Sequence, residues 1–395
     1  MAANRTIVVV GAGIAGLSLS LALAKFGLHV TLLERETVIS ELGAGLQISP
    51  NARRTLDRMG LGPAIATTSF EPDGIDIYRG GARKPIQTLT LGDQMRQRYK
   101  LPYVVMHRAD LAQALHTAVR RFANIELVTG ARDLEIDQSG PSPRVRFSEA
   151  DGTARKASAF AVVGADGVRS DIRTRALGGP QAQYSGRVAW RTLAPSAALD
   201  GLVDRRRTSL VLGSGYHCVI YPLPHRDAIN VVLFSSAPES RLAGLLSARA
   251  PDLKPRMNKR LSSLLARTGD TWTPWVVSTV RTDLWHRGAV GLIGDAAHAM
   301  LPFQAQGAAM AIEDAETLAP LLYSSPNAQH AFQRFTALRR PRVHKVMDIS
   351  EANGRAFHMR WPLSLARDTV IRMQGPHGHL RRLDWLYGFD TMKSS

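Results

Sequence analysis

Only one cysteine, Cys218, occurs in 395 residues. The chain can therefore form no internal disulfide and no multi-thiolate zinc site, and it suits a reducing compartment. No apolar stretch reaches 18 residues, so no segment is expected to span a membrane. The first apolar run, Ile7 to Val10, is too short for a signal peptide. Lysine is scarce, long basic tails are missing, and neither internal repeats nor low-complexity tracts occur. A soluble, cytoplasmic protein without a bound metal is the expectation.

Arginine dominates the charge. Fifty Lys and Arg against 33 Asp and Glu give +17. The densest clusters, Arg205-Arg206-Arg207, Arg339-Arg340 with Arg342, and Arg381-Arg382, lie far apart. This dispersal reads as a compositional or solubility feature first and attraction of anionic ligands second, with nucleic-acid binding set aside. Hydrophobic residues at 45% and charged residues at 21% describe an ordinary globular chain. At about 150 residues per domain, two or three units are expected.

The first 35 residues carry the strongest pattern. Thr6–Val10 is a β-branched run of buried-strand type. Gly11, Gly13 and Gly16 follow at once, with Ala15 among them, and open a helix rich in Ala and Leu. His29–Leu33 is a second strand, closing on Glu34 and Arg35. In such a unit the first glycine makes the tight turn, the second lets backbone approach a pyrophosphate, and the third brings helix and sheet together. The acid at the end of the second strand suits a ribose diol, and the helix N-terminus suits phosphate. Dinucleotide binding follows, without a choice between FAD and NAD.

Two later segments repeat the theme of strand followed by acid. Gly164-Ala-Asp166-Gly167-Val-Arg169 follows an apolar strand. Gly294-Asp295-Ala-Ala-His298 follows Ala289–Ile293 and continues through Pro302 and Phe303 to Gln306-Gly307-Ala308. In this order and at these separations, the three segments resemble the group A FAD-dependent aromatic hydroxylases, of the salicylate and 6-hydroxynicotinate hydroxylase type. The resemblance runs from Ile7 to about Ala352.

That resemblance implies an α/β fold with a glutathione-reductase-like FAD domain (1–75, 101–180 and 281–350). It also implies an inserted sheet-containing substrate domain (76–100 and 181–280) and a helical C-terminal region (351–395). Asp295 looks like the ligand of the ribityl hydroxyls, and the amides near Gly307 and Ala308 like the stabiliser of reduced flavin. Arg108 resembles the arginine on the flavin diphosphate, with Asp110 suited to cap its helix. Asp166 and Arg169 resemble the fingerprint shared by FAD and NAD(P)H; a structural ion pair is the competing reading. Gly43 and Gly45 resemble a mobile-flavin loop.

His217 and Tyr221 share a strand face, being four residues apart, and resemble the His and Tyr of hydroxybenzoate and hydroxynicotinate pockets. His217 would activate a phenol as base or as hydrogen-bond partner, and Tyr221 would orient it. Gln47, Pro302 and Phe303 are candidate pocket walls. Some hydroxynicotinate-type relatives carry His where this chain has Gln47 and Phe303, so that substrate is less expected. The segment Val188-Ala-Trp190-Arg191 resembles the family's lead into the sheet, and the aromatic stretch Trp385 to Phe389 its tail. The implied reaction is NAD(P)H- and O2-dependent hydroxylation of a small phenolic or heteroaromatic carboxylate through a flavin C4a-hydroperoxide, by a monomer or homodimer. The alternative is a flavin-dependent epoxidase or reductase acting on a non-aromatic or lipid substrate. His286, His330 and His377 carry no spacing signal and are expected at the surface.

Overall fold

A computed structural model describes residues 5–38, 45–80, 82–140, 142–248, 251, 259–269 and 272–393. Thr6–Val10 lies in the middle of a six-stranded sheet. It runs parallel to Ala161–Gly164 on one side and His29–Glu34 on the other. Val290–Leu292 and Ile125–Thr129 extend the sheet in parallel, and only His286–Arg287 runs antiparallel at one edge. Val8, Val9, Val162 and Val163 are fully buried, because helices cover both faces of such a sheet.

Helix Ile14–Lys25 packs between this sheet and helix Gly307–Ser324. Its Ala, Ser and Gly content permits burial on nearly every side. The turns that carry Gly11, Asp166 and Asp295 leave the carboxyl ends of these parallel strands, the edge where open α/β sheets bind ligands.

A seven-stranded sheet is drawn from residues 74–90 and 183–279. Its long strands Gln183–Pro195, Tyr216–Leu223 and Ala228–Ser236 pair antiparallel. Gly74–Arg79 joins Thr208–Leu212 in parallel. Two helices of the C-terminal region, Ala328–Phe357 and Leu363–Tyr387, close the molecule. The second of these helices kinks at Gly375, with φ 57° and ψ 172° ahead of Pro376. The expected α/β class with a helical C-terminal region is thus observed. Among the described residues no helix is long and apolar enough to cross a membrane.

Two local expectations are corrected. The cap of helix Arg108–Val119 is His107, whose Nδ1 accepts the Ala109 N–H at 3.2 Å. Asp110 instead pairs with Arg226 at 2.5 Å. His286 is half-buried and stacks on Phe332, while His330 and His377 are exposed as expected.

Candidate active site

The three glycine-and-acid segments meet at one edge of the parallel sheet. Gly11 adopts φ +103°, and a Cβ there would lie 2.5 Å from the Ala165 carbonyl oxygen and 3.0 Å from the Asp166 Cα. A Cβ on Gly16 would fall 1.8 Å from the Gly11 oxygen. Gly11 and Gly16 take glycine because backbone passes against backbone. A Cβ on Gly294, at φ +57°, would meet the Ala15 side chain at 3.0 Å. Gly11, Gly13 and Ala15 are half-exposed along the open side of the helix start. Glu34, at the strand end, accepts the Ala12 N–H at 2.7 Å and the Glu36 N–H at 3.0 Å, so its carboxylate also ties the glycine turn. Arg35 is exposed and pairs with Glu36.

Asp295 is the only exposed residue in the otherwise buried run 290–300. Its Oδ1 lies 4.0 Å from the place a Gly307 side chain would begin. Gly307 and Ala308, both half-exposed, start an 18-residue helix whose first amides are free of intrahelical partners. Asp166 accepts the Ile172 N–H at 3.1 Å, while its buried Oδ1 has no partner among the described residues. Burial raises its pKa, against the hydrogen bonds of its own loop. Arg169 is exposed, and among the described residues no ion pair joins it to Asp166. An open-faced glycine turn, an outward carboxylate, an orphaned buried oxygen and a bare helix start fit a dinucleotide with a polar tail, as FAD is.

Sequence reasoning missed the supports of this cradle. Arg173 is fully buried and donates to the carbonyls of Ala296, Val168 and Pro180 at 2.8, 2.7 and 2.8 Å. It ties the Asp166 loop to the Asp295 turn. Beneath them, Asp314 accepts from Gly294 N–H, sits 2.6 Å from His298 Nε2 and receives Arg339 at 2.8 Å. Burial alone would raise the Asp314 carboxyl, but His298 and Arg339 outweigh it and hold the pKa down to about 2. Glu313 bonds Arg339, Arg342 and Asn51, and Asn51 bonds Gln306. The network carries both ends of the 294–307 segment.

Next to the cradle opens a cavity of about 860 Å³ between the seven-stranded sheet and helix Leu363–Tyr387. Gln47, Pro302, Phe303 and His217 line it, as does Gln304. Gln47 Oε1 accepts the Tyr103 hydroxyl at 2.5 Å. Trp385 and Tyr387 of the tail form part of the wall, with Arg342 and Lys345 packed on the outer aromatic faces of Trp385 and Phe389. Arg367 and Arg382 also line it, and among the described residues no Asp or Glu does.

His217 is buried, stacked on Phe234 at 4.6 Å and edge-on to Phe303 at 5.0 Å. Its Nδ1 meets His358 Nε2 at 2.7 Å, and His358 in turn is held by Arg187. The pairing of His217 with Tyr221 in one pocket is corrected. Tyr221 does not line the cavity; its ring lies under Gly45, where a Cβ would come within 2.5 Å. Gly45 begins strand Gly45–Ile48, with its N–H on Asn230 Oδ1 at 2.7 Å. Gly43 lies outside the described residues. Arg108 starts its helix at the end of strand Val104–His107, which pairs with Gly45–Ile48. Half-buried Arg191 faces Arg108 electrostatically and lies over Trp275.

A family profile described as FAD binding domain matches residues 4–350. The 3-hydroxybenzoate 6-hydroxylase 1 of Aquipseudomonas alcaligenes is 31% identical over 395 residues, covering 99% of both chains. Salicylate hydroxylase of Pseudomonas putida is 30% identical, covering 97% of this chain and 92% of its own. Among solved structures, Klebsiella pneumoniae HpxO, complexed with FAD and uric acid, superposes with a TM-score of 0.81 at 22% identity, over 99% of this chain and 97% of its own.

Proposed function

This chain belongs to the FAD binding domain family, and on that premise we propose that it is an FAD-dependent monooxygenase hydroxylating a small phenolic or heteroaromatic carboxylate with NAD(P)H and O2. The carrying observation is the cavity that joins the Pro302–Ala305 turn, beside the cradle, to the His217 wall. The hydroxylase names of the relatives favour this reading over an epoxidase or a reductase acting on a lipid.

Residues of this chain divide the work. Gly11, Gly13, Ala15 and Gly16 would hold the diphosphate with Arg108, Glu34 and Arg35 would face the adenosine side, and Asp295 would take the ribityl hydroxyls. Gly45, Gly307 and Ala308 would border the ring system. Asp166 and Arg169 would serve both FAD and NAD(P)H. The chemistry FAD supplies when bound is two-electron transfer from NAD(P)H and activation of O2.

His217 contributes a hydrogen bond to the ring oxygen of the substrate, which raises electron density at the carbon to be hydroxylated. Gln47, Pro302 and Phe303 hold the ring, and the apolar wall keeps water from the reacting atoms. Arg382 on the cavity wall favours an anionic ligand, whereas Arg367 is already paired with buried Asp368 at 2.7 Å. Tyr221 supports Gly45 from below. The working unit is a monomer or homodimer, and the single buried cysteine suits the cytoplasm.

A panel of hydroxylated aromatic acids tests the reading, scored together for NAD(P)H consumption and hydroxylated product. The expected result is stimulated consumption matched by product for at least one acid. Flavin-loaded protein that responds to none of them contradicts it.

A further inference from the structure

Three side chains run in line from the cavity wall: His217, His358 and Arg187. His358 follows directly on helix Ala328–Phe357, and Arg187 lies on strand Gln183–Pro195. Arg187 Nη1 lies nearest His358 Nδ1, with His358 Nε2 farther off at 3.3 Å, and His358 Nε2 stands 2.7 Å from His217 Nδ1. The direction of this chain follows from the chemistry of its first member. A guanidinium has donors only and keeps its protons in proteins. His358 Nδ1 must therefore accept. A neutral imidazole with a bare Nδ1 carries its proton on Nε2, so His358 donates to His217. His217 Nδ1 then accepts, and its own proton sits on Nε2. The hydrogen-bond network thus assigns both tautomers.

Both rings are neutral near pH 7. Burial, then His358 and Arg187, press the His217 pKa well below its ordinary value. Burial, then Arg187, brings His358 down to about 3. The other partners packed on His217 are Phe234, Phe303 and Phe357, none of which titrates. Arg187 and His358 are thus the charged and titratable groups that face it. His217 Nε2 makes no hydrogen bond among the described residues, and the ring lines the cavity.

We propose that Arg187, acting through His358, fixes His217 as an Nε2–H donor into the cavity, so that the site receives the ring oxygen of its ligand as an anion rather than removing a proton from it. The inference rests on the aromatic-acid reading for the ligand, but its tautomer does not. A base at Nε2 would need a lone pair there, and the relay leaves none. The hydroxyl proton is lost to water before binding, and the bound oxyanion accepts from Nε2–H. Arg187 and His358 are positioning residues.

Nitrogen-15 NMR of the imidazoles in the FAD-loaded protein tests the tautomer, with His217→Gln used only to assign the signal. The expected signature is a neutral ring with Nε2 protonated and Nδ1 bare. A protonated Nδ1 with bare Nε2, or an imidazolium, overturns the proposal. This reading stands whether or not any acid is turned over, so its failure is distinct from failure of the hydroxylase reading.

Equilibrium binding of a ring-substituted hydroxybenzoate series, at one pH below the phenol pKa of every member, tests the consequence. Affinity is expected to rise about tenfold for each unit by which the phenol pKa falls. Equal affinity across the series overturns anion selection. Arg187→Met is expected to retain FAD and to flatten that slope severalfold, and an unchanged slope overturns the positioning role of Arg187.

Discussion

Gly11, Asp166 and Asp295 each follow a strand of one parallel sheet, whereas His217, Phe303 and His358 come from a strand, a turn and a helix end that share no sheet. The first group works mainly through backbone: glycines that clear a path, amides at helix starts, and two carboxylates. The second works through side chains, with rings stacked around one imidazole and an arginine that sets its protons. The contrast teaches that binding of the cofactor and choice of the substrate are built from separable material, joined at the Pro302–Ala305 turn.

The largest expected effect breaks both regions at once. Arg339→Met leaves buried Asp314 with only His298 and the Gly294 N–H, and Glu313 with Arg342 and Asn51, at a cost of about 3–5 kcal/mol. Denaturant unfolding should show that loss, together with release of FAD. Gly11→Ala attacks the cradle alone. Strain at positive φ and the clash with Ala165 cost roughly 1–3 kcal/mol, so FAD affinity should fall by up to about a hundredfold in flavin titrations.

His217→Gln should leave FAD content unchanged and lower kcat/KM for hydroxylation by about ten- to a hundredfold, the worth of one hydrogen bond to a charged group. The mildest effect is acid sensitivity. The Asp314 pKa falls from 3.8 to about 2 on folding, so its contribution is fully present above about pH 4 and is lost as pH falls toward 2. Asp314→Asn should remove that part of the pH dependence of unfolding.

The cradle was legible because each of its three segments is a short local pattern whose residue identities follow from steric need, even though the segments lie far apart along the chain. The cavity was only partly legible. Pro302, Phe303, Gln47 and His217 were found, but strand parity placed Tyr221 beside His217. Parity assigns a face and not a reach, and four residues of strand span about 13 Å, more than one small ring. That distance carries Tyr221 out of the cavity to Gly45. His358 and Arg187 left no local signal. They stand 141 and 171 residues from their partners along the chain and meet only when the C-terminal helix closes over the sheet. Arg173 carried a faint signal, four residues after Arg169 in the second fingerprint, but its role depends on three backbone carbonyls invisible in sequence.

Equilibrium FAD binding, measured side by side on the wild-type chain, Asp295→Asn and His217→Gln, tests the separation most directly. The account predicts a bound flavin in the wild type, affinity about tenfold weaker in Asp295→Asn through loss of a charged hydrogen-bond acceptor, and affinity unchanged in His217→Gln. A wild-type chain that takes up no FAD, or a His217→Gln variant that releases it as readily as Asp295→Asn, would contradict it.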